Sequence, residues 1–494
     1  MDYINQNILG KFMVENTKKE LGAFYTPTHT VDYMISKLNG FSKASKLFEP
    51  CGGDGVFVSR ILKKKLLKPE QILVWDINPK VKNTIEDLGV NIEIKDTLLQ
   101  TVLGNDLFGQ SNSFSHIIGN PPYLNKQSSY IKKNKKTLKK LYKEIGANDT
   151  YAMFLYLCGN LLKPNGQLSF IISDTFLTLG IHKKLRYWLL KNFTIKEITL
   201  CPDSLFSDLG ASVRTSIITI INKKSDTDHF INFNDCKNKK SGDYNGTIYR
   251  IRQNDFLDYP DFVFHYKNNK ALIQKIARAP KMISYLDGGL GMHTTNNGEF
   301  LGIIDYGNKS VLIGKKIKNI VPLKEIKSGK WKVYHKKGGN IKYYSKPSHC
   351  ILWNSKSISF YKGLKGFNLN ETRQGFLVSG VCSELSARLA SKNALWESNK
   401  AMCFYPKNPA QYPPYFFIGL LNSKIYNNII RIFNHTNSIQ IRDIRKLPLF
   451  DFSKKDVKKI SEISKSIVIN LRLDPSYNFS AEQKNIDLII KKYV

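Results

Sequence analysis

Phe114-Ser115-His116-Ile117-Ile118-Gly119-Asn120-Pro121-Pro122-Tyr123 is the stretch on which the reading of this chain turns. Its first half is apolar and of strand type. It stops at Asn-Pro-Pro-Tyr, because two successive prolines supply no N–H to a ladder and fix the backbone as a rigid turn. Asn120 and Tyr123 are therefore expected at the carboxyl end of a strand, where open α/β sheets place their ligands.

Such a turn has a definite chemical use. The exocyclic amine of a nucleobase is a poor nucleophile, because its lone pair is delocalised into the ring. The Asn120 side-chain oxygen and a carbonyl held by proline offer two acceptors to one NH2 group. Together they favour the pyramidal nitrogen and the positive charge it gains on alkylation. Tyr123 can stack on a base turned out of a duplex. The four residues alone read equally well as an ordinary loop. A second run, Pro413-Pro414-Tyr415, follows Tyr412, offers no amide acceptor and reads as structural. What separates the first run from the second is the sequence upstream of it.

Lys46-Leu47-Phe48-Glu49-Pro50-Cys51-Gly52-Gly53-Asp54-Gly55-Val56-Phe57 reads as a strand, a glycine-rich turn and a helix start. Glycines allow close approach of a ligand to the backbone at a helix N-terminus. The spacing is not that of a P-loop. An acid at the strand end, Glu49, would repel pyrophosphate and suits a cationic ligand such as an amino acid or a sulfonium. Gln71 to Pro79 reads as a second strand ending in Asp76-Ile77, about 20 residues on, where an acid can take two ribose hydroxyls. Val90 to Asp96 reads as a third strand, and Asp96 can accept from an adenine amine. Upstream, residues 18–38 read as a turn holding Tyr25-Thr26-Pro27, then a helix with Val31, Met34, Ile35 and Leu38 on one face and Thr28 or Thr30 as its cap.

In this order the motifs resemble the S-adenosylmethionine-dependent DNA adenine-N6 methyltransferases of restriction–modification and phage-defence systems. The closest likeness is to the group with cofactor motifs first, catalytic motif second and target-recognition domain last. The likeness continues through Asn148-Asp149-Thr150-Tyr151-Ala152-Met153-Phe154, a helix start, and Leu161-Leu162-Lys163-Pro164-Asn165-Gly166, a turn into the next strand. It implies a Rossmann-like α/β domain with a mainly parallel seven-stranded sheet, ending in strands over residues 194–200 and 215–221. A mixed α+β target-recognition domain and C-terminal helices would follow.

The implied cofactor is S-adenosylmethionine. It would be held by Tyr25, Thr26, Pro27, Glu49, Pro50, Cys51, Gly52, Gly53, Gly55, Phe57, Asp76, Ile77, Asp96, Asn120 and Pro122. The implied catalytic residues are Asn120, Pro121, Pro122 and Tyr123, with Phe206 as a second aromatic against the target base. A core role suits Phe206 equally. The glycine turn departs from the family pattern: Cys51 stands for Ala, Gly52 for Cys and Asp54 for Ser, which puts contacts through those side chains in doubt.

The expected domains are a methyltransferase domain over residues 1–225, a connecting segment over 226–270, a DNA-recognition domain over 271–450 and a helical tail over 451–494. The chain has 494 residues and a formal net charge of +35. Such self-repulsion is offset by a polyanionic partner, and double-stranded DNA is the natural one. Candidate phosphate contacts are Lys132, Lys133, Lys135 and Lys136 after the catalytic turn. Candidates downstream are His335, Lys336, Arg373, Asn437, Gln440 and Arg442, all types that read base edges or phosphates. A separately encoded restriction endonuclease is a further candidate partner.

Seven scattered cysteines (51, 158, 201, 236, 350, 382 and 403) give neither a disulfide framework nor a metal site. No apolar run reaches the about 20 residues that span a bilayer. A cytoplasmic, nucleoid-associated protein that modifies without cleaving is the expectation. The rivals are an RNA or protein amide methyltransferase, a cytosine-N4 enzyme, and a non-catalytic DNA specificity subunit.

Overall fold

The computed structural model describes residues 25–99, 113–206, 214–267, 270–289, 291–307, 317, 319–364, 372–397, 400–434 and 436–494. The turn expected over residues 18–24, and Ser207-Asp208 after the candidate Phe206, lie outside them. The chain divides into two compact units, Met1–Lys270 and Ala271–Val494.

The first unit is built on one sheet of nine strands, in the order β3-β2-β1-β4-β5-β7-β6-β8-β9. The strands are β1 (Leu47–Glu49), β2 (Ile72–Asp76), β3 (Asn91–Ile94), β4 (Phe114–Gly119), β5 (Leu162–Ser173), β6 (Thr194–Leu200), β7 (Thr215–Ile221), β8 (Phe230–Asp235) and β9 (Thr247–Arg252). From β3 to β5 every pairing is parallel. β7 lies antiparallel between β5 and β6, β8 is parallel to β6, and β9 closes the edge antiparallel.

Central parallel strands are covered on both faces, so their sequences are apolar without alternation. Every residue of β1 and β4 is buried. Phe48 of β1 is fully buried and stacks on Phe114 of β4 at 4.8 Å. Removing a ring of this kind costs about 3–5 kcal/mol.

The seven-strand expectation is corrected by β8 and β9. They come from residues 226–270, which sequence read as a connecting segment because the polar runs around them look like linker. The strands between those polar runs are only six residues each, and Ile231 and Phe233 of β8 are fully buried.

The helices that position the site are α1 (Thr28–Ser36), α2 (Val56–Lys63), α3 (Ser129–Lys133), α4 (Lys135–Leu141), α5 (Thr150–Leu161) and α6 (Lys183–Asn192). Pro27 occupies the cap position of α1 with no side-chain cap bond, so neither threonine caps it. Thr30 instead accepts the Tyr244 hydroxyl at 2.7 Å. α2 starts after Gly55, whose φ of 73° is left-handed and open to glycine at no cost.

The second unit is mixed α and β. A four-stranded antiparallel sheet runs β10-β18-β15-β16, and a five-stranded mixed sheet runs β12-β11-β14-β13-β17. Here β10 is Leu286–Gly288, β11 Leu301–Asp305, β12 Asn319–Pro322, β13 Trp331–His335, β14 His349–Leu352, β15 Phe376–Ser379, β16 Ala387–Leu389, β17 Leu395–Trp396 and β18 Ala401–Pro406. Phe376 of β15 stacks on Phe404 of β18 and on Phe417 of α7 (Pro414–Asn422). The second Pro-Pro-Tyr run thus starts a helix, with Pro413 at its cap. Among the unit's further helices are α8 (Lys424–Phe433), α9 (Lys454–Leu473) and α10 (Ser480–Lys491). Gly419 lets α7 and α9 cross closely: a Cβ there would stand 2.4 Å from Ser464 Oγ.

Candidate active site

Because β1 to β4 run parallel, their carboxyl ends share one edge of the sheet. Strand order reverses between β1 and β4, which leaves a crevice at that edge. A cavity of about 470 Å³ opens there. Glu49 ends β1, Asp76 ends β2, Asp96 follows β3, and Asn120 follows β4. All four line the cavity. The remaining residues predicted from sequence to hold a cofactor line it too, save Pro27 and Gly55.

The three acids differ in their surroundings. Asp76 accepts from the Gly53 amide at 2.9 Å and from the Asn78 amide at 2.7 Å. Burial still raises its pKa, against those amides. Asp96 accepts from the amides of Leu98 and Leu99 and, through both oxygens, from the Tyr130 hydroxyl at 2.9 and 3.0 Å. Burial raises its pKa as well. Glu49 is fully buried, and neither of its oxygens has a hydrogen-bond partner. Burial first, then the charges of Asp54 and Asp76, push its carboxyl well above the usual range. An orphaned buried carboxyl facing a cavity is a site that a cationic or hydrogen-bond-donating group would complete. This acidic crevice stands in a chain of net charge +35.

The glycine turn is shaped by packing. A Cβ on Gly52 would lie 2.5 Å from Val74 Cγ1 and 2.6 Å from Ile85 Cδ1, so the departure from the family pattern at this position matches a filled space.

At the Asn-Pro-Pro-Tyr turn, the Asn120 Nδ2 group donates to Thr26 Oγ1 at 3.1 Å. Pro121 is buried, and Tyr123 is half-buried. The Tyr123 hydroxyl donates to the Ile171 carbonyl at 3.2 Å, and its ring meets Tyr151 edge-on. Phe206 does not join them. It is 1% exposed, in the apolar core with Ile118, Ile171 and Ile217, so its expected place against a base gives way to packing.

Two residues that sequence reasoning passed over belong to this site. Tyr130 lay hidden in a lysine run, and nothing in its spacing marked it. Thr150 was visible only as part of a helix start; its hydroxyl bonds Pro122 of the Asn-Pro-Pro-Tyr turn, and its hydroxyl and amide both bond Leu124 just after it. Of the lysines in that run, Lys132, Lys133, Lys135 and Lys136 are exposed, and Lys133 also lines the cavity.

Residues 34–206 match the family described as Eco57I restriction-modification methylase. The chain is 27% identical over 212 residues to the type II methyltransferase M.AccI of Acinetobacter calcoaceticus, covering 42% of this chain and 37% of that protein. It is 28% identical over 208 residues to M.HincII of Haemophilus influenzae, covering 41% and 38%. The adenine-specific methyltransferase PglX of Lacticaseibacillus casei matches at 21% over 398 residues, covering 74% of this chain and 31% of PglX. The chain thus spans under two fifths of the length of each of these curated relatives.

Two solved structures share the fold. The type IIL restriction-modification enzyme MmeI, in complex with DNA, aligns with a TM-score of 0.56 at 14% identity over 100% of this chain and 74% of its own. A nuclease-deletion mutant of the type ISP enzyme LlaGI, with a DNA substrate mimic, aligns with a TM-score of 0.57 at 14% identity, covering 90% and 47%.

In the second unit the structure separates the candidate DNA contacts. His335 is a correction: it is buried, its Nε2 accepts from the Ser391 amide at 3.1 Å, and burial with the nearby Arg388 charge lowers its pKa to about 3. A neutral, buried imidazole presents nothing to a base edge. Lys336 pairs with Glu397 at 3.2 Å, and Arg373 pairs with Asp287 at 2.9 Å. Asn437, Gln440 and Arg442 are exposed and lie within six residues of one another, before and at the start of the helix Ile441–Lys446.

Proposed function

We propose that the chain transfers a methyl group from S-adenosylmethionine to the N6 amine of an adenine in double-stranded DNA, as the modification activity of a restriction–modification or related defence system. One observation carries the reading: Asn120 and the acids Glu49, Asp76 and Asp96 meet on a single cavity at four adjacent strand ends. The names of the relatives support a DNA methyltransferase, and PglX supports adenine.

The residues present fit the cofactor. Glu49, orphaned and buried, would face its amino-acid end, Asp76 its ribose hydroxyls, and Asp96 its adenine amine. When bound, S-adenosylmethionine supplies an electrophilic methyl on a sulfonium. The protein's task is to make the acceptor amine nucleophilic. Asn120 Oδ1 and the Pro121 carbonyl would each accept one of its protons, which localises the nitrogen lone pair and stabilises the positive charge that grows there. Tyr123, its hydroxyl tied to Ile171, would present a ring on which the extruded base stacks. Lysines of α3 and α4 would contact phosphates. The reaction is modification without cleavage.

Tritium transfer from labelled cofactor to duplex DNA, RNA and protein, in parallel, tests this reading. Label in DNA adenine supports it. Label only in RNA or protein, label in cytosine, strand scission with divalent metal, or DNA binding without transfer each rejects a stated part.

A further inference from the structure

Thr150 is the first residue of α5 and is 1% exposed. Its hydroxyl donates to the Pro122 carbonyl and accepts from the Leu124 amide at 3.0 Å. Its own amide donates to the Leu124 carbonyl at 2.9 Å. Each polar atom that Thr150 directs toward the turn is thus used, and all three groups it satisfies lie on the residues that flank Tyr123. We propose that Thr150 is a positioning residue: a latch that sets the orientation of the Asn120-Pro121-Pro122-Tyr123 turn from the start of α5. The inference rests on the methyl-transfer reading above.

The physical case is as follows. Proline fixes φ at Pro121 and Pro122 but leaves ψ free. Rotation about ψ of Pro122 swings its carbonyl and the whole Tyr123 peptide plane. The Thr150 bond to that carbonyl removes this freedom. The neighbouring Leu124 is clamped through both its N–H and its C=O, so the chain leaves the turn in one direction only.

A latch needs a fixed mount, and Thr150 has one. Next to it, Asp149 pairs with His182 at 3.1 Å, and the Tyr151 hydroxyl meets His182 Nε2 at 2.8 Å. Tyr151 also holds Tyr123 edge-on. The start of α5 is thereby anchored to a separate part of the sheet domain. The Pro122 carbonyl and Leu124 amide would lose their partners if the hydroxyl were removed, since valine has the shape of threonine but neither donor nor acceptor.

The test uses the full-length chain, with S-adenosylmethionine affinity, melting temperature and single-turnover methyl transfer to duplex DNA measured side by side. Thr150→Val is expected to lower the transfer rate about 10- to 100-fold, the scale of a misplaced reacting group. Cofactor affinity should stay within about threefold, because none of the three acids is touched. Thr150→Ser, which keeps the hydroxyl, is expected to restore the rate. Should Thr150→Val not fold, Thr150→Cys against Thr150→Ser makes the same comparison at nearly equal volume, with the serine expected to be fast and the cysteine slow. Equal rates in either pair overturn the assignment. So does a Thr150→Val variant in which rate, cofactor affinity and melting temperature all fall together and serine restores none of them. Absence of transfer by the wild type to any acceptor rejects the methyl-transfer reading instead, and active wild type with an equally active Thr150→Val rejects the latch alone.

Discussion

Asn120 donates its side-chain amide to the hydroxyl of Thr26, 94 residues earlier in the chain, at 3.1 Å. That bond ties the Asn120 side chain to the segment before the first helix. Thr26 is 5% exposed, so water does not readily substitute for it. The motif Tyr25-Thr26-Pro27, expected to serve the cofactor, thus also holds the Asn120 amide.

Thr26→Val is expected to lower the single-turnover rate of methyl transfer by about tenfold or more, in the range seen when one preorganised donor or acceptor is lost. Thr26→Ser should restore most of it. Rapid-quench transfer to a duplex substrate measures both. A Thr26→Val rate equal to wild type would remove Thr26 from the alignment of Asn120.

Glu49 makes a prediction about stability with a definite sign. Its carboxyl titrates well above the usual range in the folded state, because burial and the charges of Asp54 and Asp76 oppose ionisation. Between the unfolded and the folded pKa, the native state holds a proton that the unfolded chain has released. Stability of the ligand-free protein then falls as pH rises through that window. Glu49→Gln removes the titration and should abolish the fall. Melting temperatures from pH 5 to pH 8 are expected to converge at the low end and separate at the high end, with the variant higher by roughly 2–4 °C for each kcal/mol relieved. The same variant is expected to bind S-adenosylmethionine much more weakly by calorimetry. A parallel pH dependence in wild type and variant would show that Glu49 does not carry it.

Tyr130 bonds both oxygens of Asp96 and lines the same cavity. It can act on the cofactor in two ways that differ in sign. If it orients the carboxylate, its loss weakens binding; if it competes with the adenine amine for the same oxygens, its loss strengthens binding. The Leu98 and Leu99 amides already engage Oδ1, and Oδ2 accepts from Tyr130 alone among the bonds to this carboxylate. An oxygen with one donor has a lone pair to spare, so orientation is the expected role. Tyr130→Phe should raise the dissociation constant of S-adenosylmethionine about 10- to 100-fold, the value of one charge-assisted bond. Asp96→Ala should raise it further. Tighter binding by Tyr130→Phe would assign the competing role.

The course of the central strands and the residues at their ends was legible in the sequence, because both rest on local rules. Buried parallel strands are apolar throughout, proline stops a ladder, and acids at strand ends stand out against such runs. What the sequence hid was settled by tertiary packing. The strands within residues 226–270 are short and set between polar runs, and β8 finds its parallel partner in β6. Phe206 has the right chemistry for a base and the wrong surroundings. His335 has a polar ring, but β13 turns it inward. Thr150 and Tyr130 act through partners 26 to 34 residues away, a separation at which no local pattern speaks.

Asn437, Gln440 and Arg442 are exposed and of types that can read base edges, whereas Lys132, Lys135 and Lys136 are exposed cations after the Asn-Pro-Pro-Tyr turn. The two groups predict different failures. Alanine at Asn437, Gln440 or Arg442 should cost about 1–3 kcal/mol at one position of the target and relax the preference there, since a bidentate contact to one base is lost. Alanine at the three lysines should weaken binding on every sequence alike and flatten the plot of log affinity against log salt by about 0.9 for each phosphate contact removed. Binding titrations at several salt concentrations, on a modified-site duplex and on a scrambled one, separate these outcomes. A lysine triple variant with an unchanged salt slope would place that run in solvent. Single variants of the second group that lose affinity equally on both duplexes would move those residues from base readout to the phosphate backbone.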